Sequence, residues 1–565
     1  MKIKNPILRG FHPDPSIIRV DDDYYIATST FEWWPGVRLH HSRDLVNWEL
    51  IEYPLNRTGQ LDLRGVGASQ GVWAPCLTYD KGIFYLVYTV VKAFYCNMYD
   101  TNNYLVTAES IHGPWSDPIA LNNFGFDPSL FHDEDGRKYM VSMVTDHRVP
   151  KKYAGRLVLQ EYDPVRKEMT GPVREIYAAD TIFLEGPHIY KRNGWYYLFS
   201  ADMGTGEAHG QTIQRSRSVW GPYEMYRADF MEHTGEEAWS ILTCRHHEEL
   251  ALQKCGHGDL VETQGGEWYM VHLCGRPLTA RNSADAPRFR LCADPPRSRG
   301  SRRYTLGRET AIQKVRWTED DWLVLDKEPL DSLPETEADA PKLPLCPFPG
   351  KAARDDFNEE ELDREYQSLR VAMDAHYISL TERPGFLRMY GRSGLASHFS
   401  QSLIARRWTE FSFEASACME FEPEVFKQMA GLIFMYDDQN YLYLHVSHDE
   451  ELGKVISILK AENKRYEYPI GFIPIEEGRA IILKGKVEGE HMQFYFGYAE
   501  DALTEIGPVL DCSFMSDEAC LEGWFTGAMA GICCQDLTGF GKTADFDWFE
   551  MKTYGDDSGR KLWEQ

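Results

Sequence analysis

One alternation of apolar and polar positions recurs along the first 325 residues. A short apolar run leads to an acidic or glycine-rich turn. The turn feeds a stretch crowded with Tyr, Phe, Trp and Val. The turn and aromatic stretch occur as DDDYYIATST (21–30), DKGIFYLVYT (80–89), DEDGRKYMVSMV (133–144), RNGWYYLFSA (192–201) and QGGEWYMVHL (264–273). The short run before each is DPSIIRV (14–20), APCLTYD (74–80), DPSLFHD (127–133), EGPHIYK (185–191) and GHGDLVE (256–262). Aromatic and β-branched residues bounded by turn residues suit pleated, half-buried strands. A third element follows in several units: HSRDLVNWEL (41–50), AESIHGPWSDP (108–118) and SRSVWGPYEMY (216–226). Five units of three or four strands, with a period of about 60 residues, predict a five-bladed β-propeller.

The pattern breaks at EPLDSLPETEADAPKLPLCPFP, where six prolines fall between Pro329 and Pro349. Such a stretch forms neither regular helix nor central strand and is expected to be an extended linker. Beyond it, FSFEASACMEF (411–421), AGLIFMYDDQNYLYLHVSHD (430–449), AIILKGKVEGEHMQFYFGYA (480–499) and ADFDWFEMK (544–552) run apolar or alternate, joined by Asp/Asn/Gly turns. They predict an antiparallel β-sandwich of the jelly-roll kind. The expected all-β chain therefore has a propeller over 1–325, a Pro-rich linker over 326–352 and a sandwich over 353–565.

Composition narrows the partners. With 60 basic and 87 acidic residues the net charge is −27, which disfavours nucleic acid and anionic membrane surfaces. No apolar run reaches transmembrane length, and the N-terminal MKIKNPILRGFHPDPS lacks the apolar core of a signal peptide. The twelve scattered cysteines form no CxxC and fit a reducing compartment. The expected location is the cytoplasm, and the expected assembly is a homo-oligomer.

In a propeller the innermost strands line one channel, so equivalent positions converge. The residues at the head of the five short runs are Asp14, Ala74, Asp127, Glu185 and, one place in, His257. Three carboxylates at one point cannot all ionise freely. Repulsion and desolvation raise at least one pKa, which yields the acid and base that glycosidic cleavage needs. The same set could hold calcium or a catalytic metal. TFEWWPGV (30–37) and GVWAP (71–75) bring Phe31, Trp33, Trp34 and Trp73 near the channel mouth, as surfaces for sugar rings or as packing between blades. Nine arginines fall within 276–308. The last, Arg308, lies where a strand resumes and can bind a sugar hydroxyl or act on the base; the others read as a solvated loop.

The motifs GFHPDPSII (10–18), STFEWWPGV (29–37), GVWAP (71–75), FDPSLFHD (126–133), EGPHIY (185–190), QKCGHGDLVET (253–263) and LGRETAIQKVRW (306–317) resemble those of glycoside hydrolase family 43. They are most similar to β-xylosidases with a C-terminal sandwich, to which YQSLR (366–370), RPGFLRMYGR (383–392), QMAGL (428–432) and ADFDWF (544–549) also correspond. The resemblance implies an inverting, exo-acting enzyme that releases xylose from β-1,4-xylo-oligosaccharides, with room for an α-L-arabinofuranosidase side activity. In it Asp14 is the general base, Glu185 the general acid and Asp127 the orienting residue that modulates the acid's pKa. Phe31, Trp73, Arg308 and Phe525 would bind the sugar. His257 would sit at the channel centre with a water or a calcium ion, and no cofactor would be required. Two alternatives stay open: α-L-arabinofuranosidase as the main activity, and a non-catalytic carbohydrate-binding propeller.

Overall fold

The computed structural model describes residues 1–94, 98–148, 155–179, 183–227, 239–279 and 302–554. Among these residues there are strands and turns and no α-helix. Five antiparallel sheets each run from the channel outward. The first holds Ser16–Val20, Asp23–Thr28, Arg38–Ser42 and Glu49–Glu52. The second holds Gly71–Asp80, Ile83–Ala93, Asp100–Ala108 and Ile119–Ala120. The third holds Phe126–His132, Lys138–Thr145, Gly155–Asp163 and Glu168–Ala178. The fourth begins Leu184–Arg192, Trp195–Asp202 and Gly210–Ser216. The fifth holds Gln253–Glu262, Trp268–Gly275, Glu309–Trp317 and Leu323–Leu325.

The recurring aromatics occupy the second strand of each blade, where Tyr24, Tyr139, Tyr197 and Tyr269 are fully buried between sheets. A buried phenol needs a partner for its hydroxyl. Tyr197 donates to the Asp321 carbonyl (2.7 Å), Tyr269 to that of Asp339 (2.9 Å) and Tyr24 to Gln264. In three blades the repeat thus supplies apolar area and a tie to a neighbouring element with one residue type, whereas the buried Tyr139 hydroxyl has no hydrogen-bond partner among the described residues.

The ring is closed by the start of the chain. Ile7 N–H donates to the Thr310 carbonyl (2.8 Å) and His12 N–H to that of Arg308 (2.9 Å), laying residues 7–12 along the fifth blade. The Pro-rich stretch is extended, as its prolines require, and it is anchored. Glu337–Asp339 pairs with Lys2–Lys4, and Cys346 N–H donates to Asp44 (2.8 Å).

The C-terminal region is a sandwich of two large antiparallel sheets around Trp408, Phe413, Phe434 and Phe494. One sheet turns its other face to the propeller, so that Leu403, Ile433, Met435 and Tyr443 share a core with Phe11, Phe31, Trp33 and Trp73. Trp33–Trp34 pairs with Gln367–Leu369 and becomes the edge strand of that sheet. These two tryptophans are therefore interdomain core and not a sugar platform.

The structure also corrects the equivalence of the channel positions. Asp14, Ala74, Asp127, Gly186 and His257 each have φ between 37° and 54°, in the left-handed region that non-glycine residues seldom occupy. The inner strands of blades two to five break register there, between Trp73 and Cys76, Phe126 and Ser129, Glu185 and His188, and Gly256 and Asp259. The fourth-blade equivalent of Asp14 and Asp127 is thus Gly186. Glu185 lies one residue earlier, in the position that Trp73 and Phe126 hold in their blades. Gly186-Pro187 matches Asp14-Pro15, Ala74-Pro75 and Asp127-Pro128, so aligning the runs on their acids places Glu185 one residue off.

Candidate active site

The left-handed bulge aims each side chain that carries it at the channel axis, and the prolines after Asp14 and Asp127 restrict the backbone further. Asp14, Ala74, Asp127, Gly186, His188 and His257 line one small cavity with room for about one water molecule. Glycine is needed in the fourth blade, because a Cβ at Gly186 would lie 2.7 Å from the His257 ring.

The three carboxyls are buried, yet their surroundings differ. Asp14 Oδ1 accepts from Arg308 Nη1 (2.8 Å) and Oδ2 from Ser29 Oγ (2.7 Å). A guanidinium and a hydroxyl are the donors that an ionised carboxylate wants. Asp127 Oδ2 accepts from Gly186 N–H (3.0 Å). Burial, then the charge of Asp14, pushes the Asp127 carboxyl up to about 7. Glu185 has no such support. Its Oε1 is buried with no hydrogen-bond partner among the described residues, and its nearest cation candidate, His209 Nδ1, is 4.0 Å away. Burial first, then Asp127 and Asp14, raise Glu185 well above the ordinary carboxyl range. His209 is itself pushed down to about 3 by burial, so it faces Glu185 as a neutral ring.

The apolar wall converges on the same spot. Trp73 lies 5.7 Å from Phe31, 5.7 Å from Phe126 and 5.3 Å from Phe525, centroid to centroid. Phe525 comes from the sandwich. Its N–H donates to Ser69 Oγ (3.0 Å) and its carbonyl accepts from Arg308 Nη2 (3.1 Å). The Arg308 guanidinium sits 5.4 Å from the Phe31 ring and 5.6 Å from the Phe525 ring. Apart from Trp33 and Trp34, the positions singled out from sequence, Asp14, Phe31, Trp73, Asp127, Glu185, His257, Arg308 and Phe525, are thus gathered at one end of one channel.

Buried His257 is held down to about 4, with Nδ1 3.7 Å from Asp14 Oδ1. The lining around it offers imidazoles, Cys76 and proline backbone besides the two aspartates, a donor set poor in the oxygens that calcium prefers. Among the described residues no group of three or more His, Cys, Asp or Glu is arranged to hold a metal ion.

Several contributors escape the sequence pattern. Ser29 Oγ also accepts from Ala74 N–H (2.7 Å) and so ties the bulges of blades one and two together; its signal is its place at the head of STFEWWPGV. His209 and Asp202, which abut Glu185 from the fourth blade, carry no comparable motif. The arginine-rich stretch is not all solvated loop. Arg276 grips Glu309 through Nε and Nη2 (2.8 and 2.9 Å), and Arg302 pairs with Glu207 (2.8 Å); both arginines are buried. Arg281, Arg288, Arg290, Arg297 and Arg299 lie outside the described residues.

A five-bladed ring that gathers at its axis one carboxyl with a guanidinium and a hydroxyl donor and another with an unpartnered buried oxygen, under a wall supplied by a second domain, has the parts of a glycoside hydrolase. The comparisons agree with the geometry: residues 3–323 match glycosyl hydrolases family 43, and residues 354–552 match the β-xylosidase C-terminal concanavalin A-like domain. The chain belongs to glycosyl hydrolases family 43. It is 45% identical to xylosidase/arabinosidase 43B of Humicola insolens, covering 97% of each chain. It is 41% identical to a β-xylosidase of Bacillus subtilis strain 168, covering 98% of this chain and 100% of that one. Among solved structures, xylan β-1,4-xylosidase from Bacillus halodurans C-125 superposes with a TM-score of 0.90 at 47% identity, covering 98% of this chain and 100% of that one.

Proposed function

We propose that this chain is an exo-acting, inverting glycosidase that releases terminal xylose from β-1,4-xylo-oligosaccharides. One observation carries the mechanism: Asp14 and Glu185 are both buried at the channel mouth, but only Asp14 has a cation and a hydroxyl donor. That contrast divides the roles. Glu185, kept protonated by desolvation and by its acidic neighbours, gives its proton to the leaving glycosidic oxygen. Asp14 takes a proton from water, which attacks the anomeric carbon from the opposite face and inverts its configuration. Asp127 holds the Gly186 N–H, fixes the bulge that aims Glu185, and helps keep its proton on. Phe31, Trp73 and Phe525 stack the terminal sugar, and Arg308 donates to a hydroxyl while orienting Asp14.

Two facts support the exo mode and the sugar. The sandwich supplies Phe525 to the pocket wall, which suits a dead end rather than an open groove. Relatives aligned over nearly their whole length carry β-xylosidase names. The name xylosidase/arabinosidase borne by the Humicola relative favours a second reading, in which α-L-arabinofuranose enters the same pocket.

Paired aryl β-xyloside and aryl α-arabinofuranoside assays, with products followed by NMR, test both readings. The expected result is faster xyloside turnover and first-formed α-xylose. Faster arabinofuranoside turnover would make that sugar the main substrate. First-formed β-xylose would overturn the inverting assignment.

A further inference from the structure

One buried cation outside the pocket lining joins the propeller to the sandwich. Lys254 lies on Gln253–Glu262, the inner strand of blade five, three residues before His257, and is 4% exposed. Its Nζ donates to Asp517 Oδ2 (2.9 Å) and Glu518 Oε1 (2.7 Å), both on the sandwich, and lies 3.9 Å from the centroid of the Tyr304 ring. The acids are engaged on their other sides as well. Asp517 Oδ1 accepts from Tyr436 Oη (2.6 Å), and Glu518 Oε2 accepts from Tyr304 N–H (3.1 Å). A buried charge group of this kind is a poor source of stability, because desolvation offsets its attraction; its geometry can instead fix a register.

The register it fixes is that of the pocket wall. The Cys520 Sγ lies 3.2 Å from the Asp517 carbonyl oxygen and 3.1 Å from that of Gly523, so that its one S–H is shared between them and ties the turn that bears the acids to the segment that bears Phe525. On the propeller side, Tyr304 begins the segment that ends at Arg308. The two segments then run backbone against backbone. Ala528 N–H donates to the Thr305 carbonyl (2.9 Å), and a Cβ at Gly307 would lie 2.6 Å from the Thr526 carbonyl oxygen. Lys254 therefore holds both ends of the Arg308–Phe525 contact without touching the pocket.

We infer that Lys254, with Asp517 and Glu518, is a positioning device that sets how closely Phe525 and Arg308 close on the terminal sugar. The inference rests on the assignment of Phe525 to the sugar-binding wall. Loosening the wall removes contacts shared by ground and transition states, which raises KM and leaves kcat in place. A merely structural role would do the reverse: fewer folded molecules lower the apparent kcat and leave KM unchanged.

The test is a double-mutant cycle on xylobiose with the full-length protein. The variants are Lys254→Met, Phe525→Ala and the pair. A charge-neutral variant, Lys254→Met with Asp517→Asn and Glu518→Gln, runs beside them, since it leaves no unpaired buried acid if Lys254→Met alone folds poorly. The expected result is a KM raised about tenfold by Lys254→Met or by the neutral variant, with kcat within about twofold of the parent. In the Phe525→Ala background the lysine change should add little, because its target is gone. Unchanged KM with lowered kcat, or fully additive effects, would overturn the inference while leaving Phe525 in place. If Phe525→Ala itself leaves KM unaltered, the wall assignment fails and the inference falls with it.

Discussion

At the scale of single residues, chemistry here is a matter of which carboxyl has donors. Asp14 has Arg308 and Ser29; Glu185 has a neutral imidazole at 4.0 Å and an orphaned oxygen. Replacing either by Ala is expected to cost about 10²–10⁴-fold in kcat on xylobiose, the usual worth of a positioned acid or base. The two losses should part on a substrate with a good leaving group. Such a group departs with little protonation, so Glu185→Ala recovers at least about tenfold relative to its loss on xylobiose. Asp14→Ala does not recover, because water must still be activated. Equal losses on both substrates would sink the division of roles.

The same contrast makes a statement about stability. The folded-state pKa of Glu185 is raised above the ordinary 4.5. Protonated Glu185 is therefore favoured by folding, and the stability linked to its proton is lost as pH rises toward the folded value. Glu185→Gln, which mimics the protonated form, should match the parent in Tm near pH 4. It should exceed the parent increasingly as pH rises above the ordinary 4.5, levelling off past the folded-state value. A Tm difference that stays flat with pH would show that Glu185 is not desolvated as described. Asp14 and Asp127 were readable as candidates because Asp-Pro recurs at two blade starts, and Arg308 because a strand resumes after it. Ser29 and His209 were not, since a hydroxyl or an imidazole inside an apolar strand has no distinguishing pattern until its partner is known. Buried Arg276 and Arg302 were hidden by neighbouring arginines that make the whole stretch look solvated.

At the scale of elements, the inner strand of each blade is two pieces joined by a left-handed bulge. Blade number and strand order are legible, because turn chemistry and aromatic crowding repeat. The bulge is not, because it adds one residue without altering the apolar pattern; Glu185 sits one place off because the fourth run puts its acid before the Gly-Pro that matches Asp-Pro in the first and third. Gly186 is the residue on which the fourth-blade bulge depends, with φ 52° and its α-carbon against the His257 ring. Gly186→Ala adds both a strained φ and a clash. It is expected to destabilise the protein by about 1–3 kcal/mol. It should also lower kcat more than it raises KM, since it displaces the carboxyl before it and the Asp127 partner. A variant with parental Tm and kcat would show that the bulge tolerates a side chain and does not aim Glu185.

At the scale of the whole molecule, propeller and sandwich behave as one body with two folds. Domains that merely adjoin bury a modest and fairly polar interface and unfold apart. Here Phe11, Phe31, Trp33 and Trp73 share a continuous core with Leu403, Ile433, Met435 and Tyr443, and Trp33–Trp34 completes a sheet of the other domain. The proline-rich stretch adds no slack, because it is pinned to the N-terminus by Lys2–Lys4 and to Asp44 by Cys346. The proline-stiffened linker favours fixed docking over free tethering, but the shared core and the completed sheet are not legible in its composition. It predicts one calorimetric unfolding transition for the full chain. Met435 is 1% exposed and lies on the sandwich side of the shared core. Met435→Ala should cost about 2–5 kcal/mol, the usual range for such a truncation. It should lower the temperature of that single transition and of activity loss together. Two resolved transitions, with Met435→Ala moving only the one that leaves activity intact, would show that the sandwich is an appendage and not half of the catalytic body.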